Sequence, residues 1–201
     1  FIREFADLLD WAKICQYQTL SESFIREFAD KVDWKKIIWY QTLSEKFIEE
    51  IENKHDIVIW GLISGYQKLT EPFIRKYRKK VFWEYICKFQ TLSESFIREF
   101  KDEVDWINIS EYQTLNENFI TDFQDKLDWE RISRKQTLSE NFIRKFADKV
   151  NWCWISQFQI LSETFIRVFQ NKVDWGKICM YQKLSENFIR EFAHKVDWYK
   201  I

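Results

Sequence analysis

Four cysteines, Cys15, Cys87, Cys153 and Cys179, and two histidines, His55 and His194, are the side chains here best suited to nucleophilic or metal chemistry. Thiolates and imidazoles can form a nucleophile–base pair or hold zinc. Both jobs need groups that converge, and no CxxC or HxxxH spacing occurs. Cys15, Cys87 and Cys179 each follow a tryptophan by four residues, a site filled elsewhere by Ser110, Ser133 and Ser156. That interchange marks a small packing position. Disulfides among such distant positions would violate bridge geometry, so the thiols suit a reducing, cytosol-like compartment. There is no glycine-rich phosphate loop and no Ser/His/Asp set, and the carboxylates recur at repeated positions. The expectation is a non-enzymatic protein with no metal, no cofactor and no small-molecule substrate.

The same regularity organises the whole chain. Trp11, Trp34, Trp60, Trp83, Trp106, Trp129, Trp152, Trp175 and Trp198 stand 23 residues apart, except for one step of 26 between Trp34 and Trp60. A phenylalanine ten residues before each tryptophan, from Phe1 to Phe188, keeps the same register, except that Phe47 stands 13 before Trp60. A fixed period of this length is the mark of a solenoid. The expected fold is all-α: a right-handed-type α-solenoid of nine two-helix, 23-residue repeats, the first and last partial, forming a single array over 1–201. The repeats are 1–17, 18–40, 41–66, 67–89, 90–112, 113–135, 136–158, 159–181 and 182–201. Because the chain starts and stops inside a repeat, it reads as a segment of a longer array.

Within a repeat, Ser21 or its equivalent can cap a first helix, helix A, expected from about Glu22 to Lys31. Phe24, Ile25 and Phe28 are its apolar stripe, and Glu22, Arg26 and Asp30 are spaced to pair weakly along its surface. Asp33 can cap a second helix, helix B, of about two turns and partly 3₁₀ character. Trp34, Ile37 and Tyr40 lie along one side of it. An unvarying glutamine, Gln18, Gln41, Gln67 and onward, should satisfy backbone groups between helix B and the next helix A. No repeat buries enough to fold alone, so stacking must shield the Trp, Phe and Ile ladders between neighbours.

Repeat three departs from the pattern. It carries Glu49-Glu50, puts His55 at an apolar site, adds three residues before Trp60, and places Gly61 and Gly65 in helix B, which should weaken it. The expected result is a kink or local bulge in the stack, with a docking site or hinge as the functional alternative. Repeat four follows with Pro72 in the first turn, Tyr77, and the basic run Lys76, Arg78, Lys79 and Lys80, which reads as solvated surface. Lys135 interrupts a row otherwise filled by Tyr or Phe.

The 31 basic and 32 acidic residues nearly cancel, leaving a net charge of −1 and no electrostatic case for nucleic acid or an anionic membrane. Neither a signal peptide nor an apolar run near the ~20 residues of a membrane span is visible, so secretion is not expected. Variation concentrates two and five residues after each tryptophan: Lys13/Gln16, Lys36/Trp39, Leu62/Gly65, Tyr85/Lys88, Asn108/Glu111, Arg131/Arg134, Trp154/Gln157 and Lys177/Met180. These positions share one helix face. Trp39, Tyr85, Arg131, Arg134, Trp154 and Met180 are the candidate partner-binding residues, of types favoured at protein interfaces.

The string QTLSE-x-FIREF-x-DKVDW-xx-I-xx-Y resembles the short repeats that recur in proteins of giant DNA viruses infecting amoebae, and the likeness runs through all 201 residues. The resemblance implies a viral repeat protein acting in the host cytoplasm or the virion. It would bind a host or viral protein, or associate with itself as a structural component of a particle or filament. It implies no catalytic residue.

Overall fold

The structure, a computed structural model, describes residues 7–52 and 57–201. Every regular element among them is a helix. In chain order these are α1 (Trp11–Tyr17), α2 (Glu22–Glu27), α3 (Trp34–Tyr40), α4 (Glu45–Ile51), α5 (Ile57–Tyr66), α6 (Glu71–Lys76), α7 (Trp83–Phe89), α8 (Glu94–Glu99), α9 (Trp106–Tyr112), α10 (Glu117–Asp122), α11 (Trp129–Lys135), α12 (Glu140–Lys145), α13 (Trp152–Phe158), α14 (Glu163–Val168), α15 (Trp175–Tyr181) and α16 (Glu186–Glu191). Even numbers are helices A and odd numbers helices B. The chain forms two compact units, Phe1–Asp105 and Trp106–Ile201. In the first, α1, α3, α5 and α7 pack side by side in series. In the second, α9, α11, α13 and α15 do the same. Each unit is thus an α-solenoid stack of two-helix repeats.

The local signals act as their chemistry requires. The Ser21 hydroxyl accepts from the Phe24 N–H at 3.2 Å, and Asn116 Oδ1 serves α10 from the same site at 2.8 Å. Asp33 caps α3, accepting from Lys36 N–H, while Phe82 makes no side-chain cap bond to α7. Helices B are α-helical throughout, without the 3₁₀ character expected. Helix A is shorter than expected: α2 stops at Glu27, and Phe28 leaves the helix at φ −114°, ψ 32°. The Phe28 carbonyl then accepts from both Lys31 and Val32, closing a turn. The reason is the next cap. Asp33 must be extended, at φ −80°, ψ 100°, to reach back over α3, and a helix running to Lys31 would leave no chain to turn.

The core is the isoleucine ladder, with Ile37, Ile63, Ile86, Ile109, Ile132, Ile155 and Ile178 fully buried, alongside Phe47, Phe96, Phe119 and Phe165. The tryptophans are not shielded on both sides as expected; except for buried Trp60, those from Trp11 to Trp175 are half-buried. Each seals an edge. Trp129 packs on Phe142 and Phe146 of the following repeat, at 6.3 and 5.0 Å between centroids. Its indole N–H donates to the Gln124 carbonyl, and the Lys149 ammonium lies 5.8 Å from the ring centroid.

The glutamines make the most consistent link. As expected they satisfy backbone groups between a helix B and the following helix A, and the groups are those of the helix-B end and linker one period earlier in the chain. Gln67 Oε1 accepts from Leu43 N–H at 2.9 Å, and Nε2 donates to the carbonyls of Ile38 and Gln41 at 2.6 and 2.8 Å. The carbonyls belong to the last turn and C-cap of α3, which would otherwise be orphaned. Gln90 repeats the pattern in the first unit, and Gln136, Gln159 and Gln182 repeat it in the second.

A second link uses the serine-or-cysteine site. Ser133 donates to the Trp129 carbonyl and accepts from Asn151 N–H of the next repeat at 2.9 Å. Cys87 and Cys179 accept the corresponding N–H, from Asp105 and Asp197, through sulfur at 3.3 Å. The site is therefore an acceptor as well as a packing position. A third link is Glu117, whose carboxylate accepts from Ser139 N–H at 2.6 Å, joining the starts of successive helices A. Arg26 likewise reaches Glu50 of the next repeat at 2.7 Å, closer than its own-helix partner Glu22 at 3.7 Å.

Repeat three stays in the stack. With its two glycines α5 is the longest described helix, at 10 residues, and it contacts α3 and α7 as its counterparts do. Ile59 and Trp60 are buried. His55 lies outside the described residues, as does Phe1. Ile38 takes the acceptor site in the repeat before, so the hydroxyl link is missing where α5 begins early.

Gln67→Leu should cost at least about 3 kcal/mol, because it strands three buried backbone groups. Urea unfolding followed by far-UV circular dichroism would show this, and a loss under about 1 kcal/mol would contradict the role given to the amide. Ser133→Ala should cost about 1–2 kcal/mol in the same assay, whereas Ser133→Cys should recover most of it.

Candidate partner-binding surface

Positions two and five after the tryptophan do share the outer face of helices B, and the stack gives them a further relation. Residue two of one repeat meets residue five of the repeat before. Lys36 Nζ donates to Gln16 Oε1 at 3.0 Å, and Arg131 Nε lies 3.3 Å from Glu111. Part of the variable stripe therefore braces the array.

In the first unit two stripe residues, Trp39 and Tyr85, join neighbouring rings in an aromatic surface. Trp39 is 50% exposed and meets Tyr66 at 4.9 Å with the rings tilted. Tyr66 continues to Phe89 at 6.4 Å, Phe89 to Tyr85 at 6.2 Å, and Tyr85 to Phe82 at 6.1 Å. All these rings are partly exposed. They form one surface over α3, α5 and α7. Gly61 faces the Tyr85 and Phe82 rings and Gly65 the Phe89 ring, and a Cβ at either position would rest in ordinary van der Waals contact with them, at 3.7 and 3.6 Å. Trp39 and Tyr85, far apart in sequence, thus belong to one patch.

In the second unit the stripe is charged. Glu111 receives Arg134 at 2.7 Å, and Arg131 and Lys135 each at 3.3 Å. Arg131 also pairs with Asp128 at 2.5 Å. Burial alone would raise the Glu111 carboxyl, but hydrogen bonds from Arg134 and Lys135 outweigh it and hold the group below the ordinary glutamate range. Trp154 stacks on Phe158 at 5.7 Å and lies 5.7 Å from the Arg134 guanidinium. Arg134 Nε and Gln157 Oε1 are buried without hydrogen-bond partners. Arg131, Arg134 and Trp154 are therefore one cluster. Met180 stands half-exposed on α15.

The residues missed are those six after the tryptophan. Tyr40 was expected on the same side as Ile37, yet Tyr40, Tyr66, Phe89, Tyr112, Phe158 and Tyr181 are all about half-exposed, while Ile37 is buried. Three steps of 100° set Tyr40 about 60° round the helix from Ile37, far enough from the buried line for the ring to reach water. Lys135 was the available signal, since a lysine fits a row only where its ammonium reaches water. Between consecutive members of this row lie shallow grooves. One of about 350 Å³ is lined by Gly65, Tyr66, Lys68, Leu69, Phe89 and Thr91 with the two ladder glutamines. One of about 300 Å³ occupies the same register in the second unit, between Arg134, Lys135 and Thr137 on one side and Phe158 and Ile160 on the other.

Other reactive groups sit elsewhere. Cys15, Cys87 and Cys179 are buried, and burial pushes the Cys87 thiol up to about 12. The basic run is largely engaged at the helix-A surface, with Lys76 on Glu49 at 2.8 Å and Lys80 on Glu52 at 3.1 Å. His194 stacks on Phe192. Among the described residues no group of three or more His, Cys, Asp or Glu could hold a metal ion, and no helix is long and apolar enough to cross a membrane.

Fold and surface together define a helical repeat protein in which each unit has a patterned helix-B face. No family model, curated protein or solved structure matches the chain.

The folded Glu111 value lies below that of an unfolded glutamate, about 4.3, so the stabilisation from its pairing is complete above that pH and is lost as pH falls through the lowered value. Glu111→Gln should therefore flatten the acid limb of the pH–stability curve below about pH 4. Urea midpoints at stepped pH test this, and superimposable acid limbs would count against it.

Proposed function

We propose that the chain is a non-enzymatic scaffold that binds a protein partner along the outer face of its helices B. The observation that carries this is the run of exposed rings Trp39–Tyr66–Phe89–Tyr85. Contiguous exposed aromatic surface is costly in water and typical of interaction sites. A repeat array suits that use, because stacking fixes the frame while outward positions change freely. Near-balanced charge argues for a protein partner over nucleic acid or an anionic membrane. The likeness to repeats of giant amoebal viruses supports a viral protein at work in the host cytoplasm or the virion, with a host or viral partner.

The test is affinity capture from amoebal lysate with mass spectrometry. Wild type is compared with a Trp39→Ala, Tyr85→Ala, Trp154→Ala variant whose helicity is checked by circular dichroism. The variant should lose the specific partner, about tenfold or more in recovered amount, since central aromatics carry about 2 kcal/mol or more each. Equal recovery by both proteins speaks against the reading. Concentration-dependent sedimentation without a captured partner would instead favour lateral self-assembly.

A further inference from the structure

We propose that the groove between Lys135 and Phe158 in the second unit is a binding site for a short extended peptide that carries a carboxylate next to an aliphatic or aromatic side chain. This rests on the scaffold reading and specifies part of its ligand.

The charges are uneven in this groove. Arg134 and Lys135 share one carboxylate, Glu111, and Arg131 draws on the same group. Arg131 has Asp128 as a second partner; Arg134 and Lys135 have no other ion pair among the described residues. Their side chains remain 36% and 45% exposed at the groove edge. Three cations thus meet two paired carboxylates, and the remaining acid nearby, Glu130, is turned to the Trp154 indole N–H at 3.4 Å and forms no ion pair with them, so one positive charge is left where solvent, or a ligand carboxylate, can reach it. A guanidinium beside an ammonium offers several donors to such a group.

The opposite wall is apolar. Phe158 is half-exposed, and Ile160 is 95% exposed where Thr137 stands one repeat earlier. An aliphatic side chain held so far into water has nothing to pack against in its own fold. A ligand side chain lying between it and Phe158 would cover both. The floor adds little, because the amides of Gln136 and Gln159 are already bonded to the backbone of the repeats before them. Recognition must therefore come from the two walls, one cationic and one apolar. At about 300 Å³ the groove lies at the small end of ligand sites and suits an anchor of roughly two residues. The groove at the same register in the first unit has Tyr66 and Phe89 as walls and no guanidinium, so the two should differ in preference.

The experiment uses the intact chain and two matched sets of short fluorescein-labelled peptides, acetylated and amidated at their ends. One set has a central Asp or Glu beside each apolar residue, and the other has Asn or Gln in place of the acid. By fluorescence anisotropy the best acidic peptide should bind about tenfold tighter than its amide twin, and added salt should narrow the gap. Arg134→Gln with Lys135→Gln should abolish the preference, and the exposed Lys135→Gln alone should reduce it without disturbing the fold. Glu111→Gln, by removing the internal competitor, should tighten binding severalfold; a purely structural role for the cluster predicts no such gain. Amide NMR shifts should centre on 134–138 and 158–160. Equal affinity for the two sets, an unaffected double variant, absence of saturable binding, or shifts centred elsewhere would each overturn the assignment. Binding at the Trp39–Tyr66–Phe89 surface instead would leave the scaffold reading standing while this one falls. Failure of both the peptides and the lysate capture would remove the two together.

Discussion

A primary amide spans the gap between consecutive repeats, and the rest of the fold depends on it. Helices of six or seven residues leave most of their terminal carbonyls without intrahelical partners, and packing them side by side would bury those groups unbonded. A glutamine side chain has an acceptor and two donors in one plane. Gln67 uses all three on the backbone of the repeat before it. It does between helical repeats what direct backbone pairing does between strands. An apolar side chain could fill that space but not satisfy it, and a charged one would have either donors or acceptors, never both.

Around that amide the other links are individually modest and repeat at the same register. The serine-or-cysteine acceptor, the first-turn glutamate and the tryptophan edge each join one repeat to the next. Most ion pairs between helices A are exposed and contribute little to stability. Their use is alignment, since Arg75 with Glu99 and Arg167 with Glu191 hold neighbouring helices in one register. The thiols that follow a tryptophan by four residues belong to this frame as well, which explains why serine can take their place: the site needs a small side chain that accepts an N–H.

Because the frame uses the same positions every time, variation can accumulate only outside it. Those positions are the outer face of helices B and the grooves at their C-terminal ends. Glycine at 61 and 65 with aromatics on α7 makes one kind of surface, and Arg134 with Lys135 and Ile160 makes another. The two surfaces differ in chemistry while the backbone beneath them is the same.

The period, the helical class, the caps at Ser21 and Asp33, and the need for stacking were all legible in the residues, because each depends on local chemistry repeated many times. The places of Trp39, Tyr85, Arg131, Arg134, Trp154 and Met180, two or five residues after a tryptophan on a helix B, could be read for the same reason. Three matters were decided only in three dimensions. Helix A ends at Glu27 because the following cap needs an extended residue. Tyr40 turns outward because the stack direction, not the spacing of apolar residues, sets which side is core. Gln67 bonds the previous repeat because that is where unpaired carbonyls lie once α3 and α5 are side by side. Local sequence specifies what each segment can satisfy by itself; which groups remain to be satisfied, and by whom, appears only when the repeats are brought together.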